Sequence, residues 1–305
     1  MNTDPYDRAR RHTRYFLSWA RSASPVHLAA DVDMSAVEAY RATARAAGTR
    51  CSVAACLVWA AGRVMAAHPE ANAAATGLLA PRTVRFTRVH VKLAVDRTTP
   101  RGRWVHTAVL RDADRLGPHE IQRLIDRCRD EEDNRHDGDD EAARRIRLLG
   151  RLPAPLGRLA FRAAVAGTGR RPELLGTVAV SSLGGHRVDA FHAHGGTAVT
   201  LNAGRTAQRP VVRDGRLVPA PVMRLGLTFD HRVLDGAAAA GVLDDLVRLL
   251  EDPDALSGGV SDGPVDHGTA PGRGGTTGPL AAGPRHPGGA RQRHRPRSAG
   301  GLDPR

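Results

Sequence analysis

Between Met223 and Leu250 the chain passes once from strand-like to helix-like patterning, and that junction limits the folds open to it. Met223 to Phe229 is a run of apolar and β-branched residues, which predicts a strand. From Ala238 to Leu250, Ala239, Val242, Leu246 and Leu249 recur on one helical face, with Asp244, Asp245 and Arg248 largely off it. The intervening Phe229-Asp230-His231-Arg232-Val233-Leu234-Asp235-Gly236 sets a histidine and an aspartate four residues apart. Asp235 falls at the helix N-cap, where its carboxylate is expected to accept backbone N–H bonds and to face the positive end of the helix dipole. His231 is expected to project from a rigid strand end, and neutral imidazole is well suited to take a proton near neutral pH. By itself the spacing fits a strand-end histidine and a capping aspartate without catalytic duty equally well.

The remaining pattern mixes helices and strands without a repeat. Helices are expected over Asp7 to Arg21, after a Ser35-Ala36-Val37-Glu38 capping box, from a Ser52 cap to about Ala67, and over Pro118 to Asp130. Strands are expected at Val84 to Val95, Trp104 to Leu110, Thr177 to Ser181, Ala198 to Ala203 and Met223 to Phe229. Glu131 to Asp140 is charged enough to predict a solvated loop. The mixture predicts an α/β (α+β) sandwich, with a mixed, largely antiparallel sheet flanked by helices. No Gly-x-Gly-x-x-Gly or phosphate-loop pattern points instead to a doubly wound nucleotide fold. Residues 1–255 can bury one large core. From Ser257 onward, 49 residues hold 13 glycines and 7 prolines, too little apolar surface to offset ordering, so 256–305 is expected to be a disordered tail.

The net charge of +13 raises nucleic-acid binding, but the distribution weighs against it. The tail carries seven arginines against three aspartates, and elsewhere basic and acidic residues interleave. Lys92 is the only lysine among 45 basic residues, a bias that fits a GC-rich coding background better than selection for phosphate contacts. The cluster Arg291-Gln292-Arg293-His294-Arg295-Pro296-Arg297 leaves nonspecific polyanion binding as a minor reading. Cys51, Cys56 and Cys128 make an odd count, and no amino-terminal apolar stretch resembles a secretion signal, so the cytoplasm is the expected location. Val53 to Gly62, cut by Arg63, is too short to cross a membrane. His192-Ala193-His194 has strand spacing that would put both imidazoles on one face, yet no third ligand follows; no metal is expected.

Several segments occur in a telling order. Val26-His27-Leu28-Ala29-Ala30-Asp31-Val32-Asp33-Met34-Ser35 follows an arginine-rich first helix; Arg111-Asp112-Ala113-Asp114-Arg115 closes a strand; Gly176-Thr177-Val178-Ala179-Val180-Ser181-Ser182-Leu183-Gly184 precedes Asp230-His231-Arg232 and Asp235-Gly236-Ala237. Over most of residues 7–255 this order resembles the catalytic domain of the dihydrolipoamide acyltransferases of 2-oxo acid dehydrogenase complexes, in the chloramphenicol acetyltransferase-like superfamily. The resemblance implies that His231 is the general base for a coenzyme A or dihydrolipoyl thiol, and that Ser181 donates to the oxyanion. It also implies that Asp235 pairs with an arginine of the first helix. Arg14 is the expected partner, with Arg10 and Arg11 as close competitors.

A homotrimer is implied too, with active sites between subunits, His231 from one and Ser181 from the next. Coenzyme A would be a substrate. Lys92 lies in a strand pattern between Val91 and Leu93, so a lipoyl group is expected from another protein, such as a separate lipoyl carrier or 2-oxo acid dehydrogenase subunits. The chain begins almost at the catalytic region, which predicts a stand-alone domain. Two stretches depart from the family pattern. Arg144 to Arg171 is longer than expected, as a lid, a substrate wall or an oligomer contact, and Ala193-His194-Gly195-Gly196 replaces a proline-bearing segment. A noncatalytic assembly protein of the same fold is the alternative reading. A Ser181, His231, Asp235 hydrolase triad is disfavoured by the lack of Gly-x-Ser-x-Gly.

Overall fold

A computed structural model describes residues 11–77, 80–99, 102–133, 152–167 and 169–258. The expected tail beyond 258, the basic cluster at 291–297 and most of the charged stretch before 140 lie outside them. In chain order the elements are α1 (Arg11–Ala20), β1 (Pro25–Asp33), α2 (Ser35–Ala46), α3 (Val53–Ala67), β2 (Ala73–Thr76), β3 (Arg82–Arg85), β4 (Val91–Thr99) and β5 (Gly102–Leu110). A 3₁₀ turn (Ala113–Arg115) leads to α4 (Pro118–Asp133), α5 (Ala154–Ala166), α6 (Arg171–Leu175), β6 (Val178–Ser182), β7 (Val199–Arg213), β8 (Arg216–Asp230), α7 (Gly236–Glu251) and α8 (Pro253–Gly258).

Six strands form one mixed sheet in the order β1-β8-β7-β6-β4-β5, and β2 with β3 forms a separate ribbon. Strand β6 runs parallel to both its neighbours, and the other pairings are antiparallel. This is the expected mixed α/β architecture.

Because side chains alternate across a strand, register sorts the sheet into two faces. Val91, Val178, Val199 and Phe229 align across four strands, as do Leu93, Val180, Leu201 and Leu227. All are buried and join the main core with α3 and α7. Helix α3 is apolar on nearly every side, as a helix inside a core must be. Ser52 caps it as expected, accepting the Ala55 N–H at 3.2 Å. Helix α7 buries Ala239, Val242, Leu243, Leu246 and Leu250. The last helix, α8, seals the same core with Leu256, so the folded region runs past the expected boundary at 255.

The opposite face is polar. Lys92, Ala179, Thr200, Thr228 and His27 form one aligned row, and Ala94, Ser181, Asn202, Gly226 and Ala29 form the next. The segment from Asp189 to Thr197 lies across this face and is held by its side chains. The Asn202 amide accepts the Ala193 N–H at 3.1 Å and donates to the Ala193 carbonyl at 3.3 Å. Thr200 Oγ1 accepts the Gly195 N–H at 2.9 Å. Lys92 Nζ donates to the Gly195 carbonyl and sits 4.9 Å from the centre of the Phe16 ring. A Cβ on Gly195 would come within 2.4 Å of the Ala179 methyl, so the approach requires glycine. The His192-Ala193-His194 segment is therefore a sheet-anchored loop rather than a strand. The His192 ring lies against that of His27, with centroids 4.7 Å apart and planes tilted by 40°.

Three local expectations change. The expected strand Val84 to Val95 breaks in two, because Asn72 Nδ2 donates to the carbonyls of Phe86 and Arg88 at 3.0 Å and holds the crossing between sheets. The Ser35 capping box does not form. Met34 is the N-cap of α2, and the Ser35 hydroxyl and N–H both donate to Asp33 Oδ1. Strands β7 and β8 run longer than expected, turning through Asp214 and Gly215 with φ of 50° and 76°, the signs that a tight two-residue hairpin requires.

Gly62 faces the 3₁₀ turn so closely that an added Cβ would lie 2.5 Å from the Ala113 carbonyl oxygen. Gly62→Ala, stabilising by about 1 kcal/mol in an ordinary helix interior, is expected instead to destabilise the protein in urea titration; a gain in stability would show that the two backbones do not pack as described. Burial pushes the Lys92 ammonium down to about 8. Its folded pKa lies below its unfolded value, so the unfolded chain holds the proton more tightly and stability rises with pH from about 8 to about 10.5. Between pH 7.5 and 9.5 the wild type should gain about 2 kcal/mol on Lys92→Met, and parallel pH profiles for the two proteins would contradict this.

Candidate active site

Strand β8 ends at Asp230, and the chain turns at once into α7, which leaves His231 at the corner. Its backbone N–H donates to the Ser24 carbonyl at 2.9 Å, and its ring lies 5.5 Å from Phe229, whose side chain is fully buried. The imidazole is half-exposed on a backbone fixed from both sides, and Nδ1 lies 3.8 Å from Asp235 Oδ1. Burial of one ring edge against a core aromatic with the other open to solvent is the setting a proton carrier needs.

Asp235 is the N-cap of α7 by backbone geometry, but its side chain makes no capping hydrogen bond. The carboxylate is 91% exposed and turns toward His231. Among the described residues its ion-pair partner is His231 and not Arg14. Arg14 lies exposed on α1, whose first residue is Arg11, and Arg10 falls outside the described residues. The side chain of Arg11, the other competing arginine partner, also lies outside them. The expected capping bond thus gives way to an aspartate beside the imidazole.

Asp230 carries the electrostatics of the corner. Arg232 grips it with Nε at 2.9 Å and Nη2 at 2.5 Å, and the backbone N–H groups of Ser24 and Arg232 donate to Oδ1. These bonds overcome the burial penalty and hold the carboxyl below its usual range. The backbone on either side of His231 is pinned as a result. Nothing in the bare residue spacing separated this role from that of Asp235; only the tertiary position of the Ser24 turn does.

Ser181 is partly buried at the end of β6, on the polar face, opposite Ala94 and Asn202. Its neighbour Ser182 accepts a hydrogen bond from the Gly184 N–H, while the Ser181 hydroxyl has no partner among the described residues. A purely structural strand serine would be bonded locally. Ser181 and His231 are not neighbours, however. Ser181 aligns through Asn202 with Gly226, which places it roughly 10 Å across two strand spacings and a further ~13 Å along β8 from Asp230. One chain does not bring the two side chains together.

The inserted segment packs beside this face. The Tyr15 hydroxyl donates to the Leu152 carbonyl at 3.3 Å, and Phe161 of α5 meets Phe16 and Trp19 edge-on, with ring centroids 6.5 and 6.2 Å away. No group of three or more histidine, cysteine or carboxylate ligands suited to a metal occurs among the described residues. No helix among them is long and apolar enough to cross a membrane.

The family model described as 2-oxoacid dehydrogenases acyltransferase (catalytic domain) matches residues 2–141 and 164–257, more than half of the chain. The unmatched gap, 142–163, overlaps the stretch from Arg144 to Arg171 that was expected to be longer than the family pattern. The dihydrolipoyllysine-residue acetyltransferase component of the pyruvate dehydrogenase complex of Bacillus subtilis (strain 168) is 43% identical over 77 residues, 25% of this chain and only 17% of that protein. Two solved structures share the fold. One is the dihydrolipoamide acetyltransferase of Azotobacter vinelandii, studied for the role of a serine, a histidine and an asparagine in its mechanism (24% identity, TM-score 0.58, 84% of this chain and 94% of that one). The other is the cubic core of a pyruvate dehydrogenase multienzyme complex (25% identity, TM-score 0.56, 84% and 94%). The chain belongs to the family of 2-oxoacid dehydrogenase acyltransferase catalytic domains.

Proposed function

We propose that the chain transfers an acyl group between a thioester and a thiol, with His231 as general base and Ser181 as oxyanion donor, in a site completed by a second copy of the chain. The observation that carries this reading is the separation of an unbonded Ser181 from a corner-held His231 on one sheet. The named serine and histidine of the Azotobacter enzyme, and the multimeric core among the similar structures, support it.

The chemistry runs as follows. Neutral His231 takes the proton of the acceptor thiol, and the thiolate attacks the thioester carbonyl. The carbonyl electron pair moves onto oxygen, where the Ser181 hydroxyl donates to it. Collapse of the intermediate breaks the original C–S bond, and the leaving thiolate recovers the proton from the imidazolium. Asp235 Oδ1, 3.8 Å from Nδ1, is placed to orient the ring. Coenzyme A and a dihydrolipoyl group carried by another protein are the thiols this reading assigns. A homotrimer is the assembly it assigns.

His231→Ala should abolish transfer from acyl-CoA to dihydrolipoamide, and Ser181→Ala should lower it by about a hundredfold or more. Unfolded and refolded together in equal amounts, the two inactive variants should regain activity, because random assembly reunites an intact His231 and Ser181 in roughly a quarter of shared sites. Mixtures as inactive as the separate variants, despite mixed oligomers by native mass spectrometry, would reject a shared site.

A further inference from the structure

Beside the corner, α1, β2, α6 and the Thr197 turn form a pocket lined by Trp19, Ala75, Arg171, His194, Asp230 and Arg232. Its charges do not cancel. Asp230 is saturated by Arg232 and two backbone N–H groups, so that pair is close to neutral. Arg171 has no such partner. Its guanidinium lies 5.1 Å over the Trp19 ring, and Nη1 donates to the Ala75 carbonyl at 2.9 Å. No carboxylate pairs with it among the described residues, and most of its five N–H donors remain unused. Burial and the nearby Arg232 disfavour its charge, and Asp230 in the same wall only partly offsets them. The His194 Nδ1 atom in the same wall is buried without a hydrogen-bond partner.

A largely buried cation with no carboxylate in direct contact is costly, as is a buried ring nitrogen without a partner. One ligand relieves both: an anion bonded by the free edge of Arg171 and by His194 Nδ1–H. We propose that this pocket binds a small anionic group, a carboxylate or a phosphate, with Arg171 as its principal contact. The Trp19 wall is held by Phe161 of α5, which lies in the 142–163 gap between the two parts matched by the family model. The unmatched segment therefore buttresses one wall of the pocket without lining it. The proposal does not depend on the acyltransferase reading, because binding is measured without turnover.

The test titrates the full chain with inorganic phosphate and, separately, with acetate, at constant ionic strength in chloride, following Trp emission and melting temperature. Saturable binding of at least one anion is expected, with a rise in melting temperature. Binding of phosphate alone identifies a phosphate site, and binding of acetate identifies a carboxylate site. Arg171→Gln should weaken binding roughly tenfold or more, and Arg171→Lys should retain part of it as a point charge. Ala75→Leu, which keeps the carbonyl that Arg171 uses but narrows the pocket, should also abolish binding and serves if Arg171→Gln does not fold. Absence of saturable binding by either anion, or equal binding by wild type and a folded Arg171→Gln or Ala75→Leu variant, would overturn the proposal.

Discussion

The register of β6 on β7 and of β7 on β8 places every residue of the central sheet on either an apolar or a polar face, and the positions of Ser181 and His231 follow from it. A slip of one residue would exchange the faces. Leu93, Val180, Leu201 and Leu227 would leave the core, and Lys92, Ser181 and Asn202 would enter it. The apolar face against α3 and α7 supplies the burial that fixes the register. The polar face carries the candidate chemistry at no separate cost in packing.

A polar sheet face is stable only when its groups find partners. Here the partners come from one irregular segment. Asn202, Thr200 and Lys92 bond the backbone of Ala193 and Gly195, as a neighbouring strand would elsewhere. The cost falls on Lys92, whose ammonium loses its water and has its pKa depressed. The same segment presents His194 to the pocket under Trp19, so the packing of the sheet and the charge of that pocket are mechanically linked.

Features encoded within a few residues were legible in the sequence. The Ser52 cap, the buried face of α7 and the strand-to-helix corner at His231 each rest on local spacing and local hydrogen bonds. The Asp214-Gly215 hairpin carried an equally local signal, a two-residue pair suited to positive φ between strand patterns. It was obscured because Pro210, Pro219 and Pro221 interrupt the flanking runs. Long-range effects were not legible. Asn72 breaks a strand pattern from fourteen residues away, Asp33 displaces the Ser35 cap, and the unpaired charge of Arg171 exists only once α1, β2 and α6 meet. Asp235 fell between these cases. Its backbone position was readable, whereas the turn of its carboxylate toward His231 was not.

Sheet register separates Ser181 and His231 within one chain, and a shared site requires that a second chain bring them together. Distance measurement tests this directly, in a background where Cys51, Cys56 and Cys128 are replaced by alanine. Ser181→Cys and His231→Cys, carried on separately tagged chains and assembled together, should be joined by a short thiol-specific cross-linker into covalent dimers of unlike chains, while the doubly substituted chain alone should give ladders up to the trimer and no internally linked monomer. Cross-linking confined to single chains, or none between unlike chains in an assembled oligomer, would contradict the account.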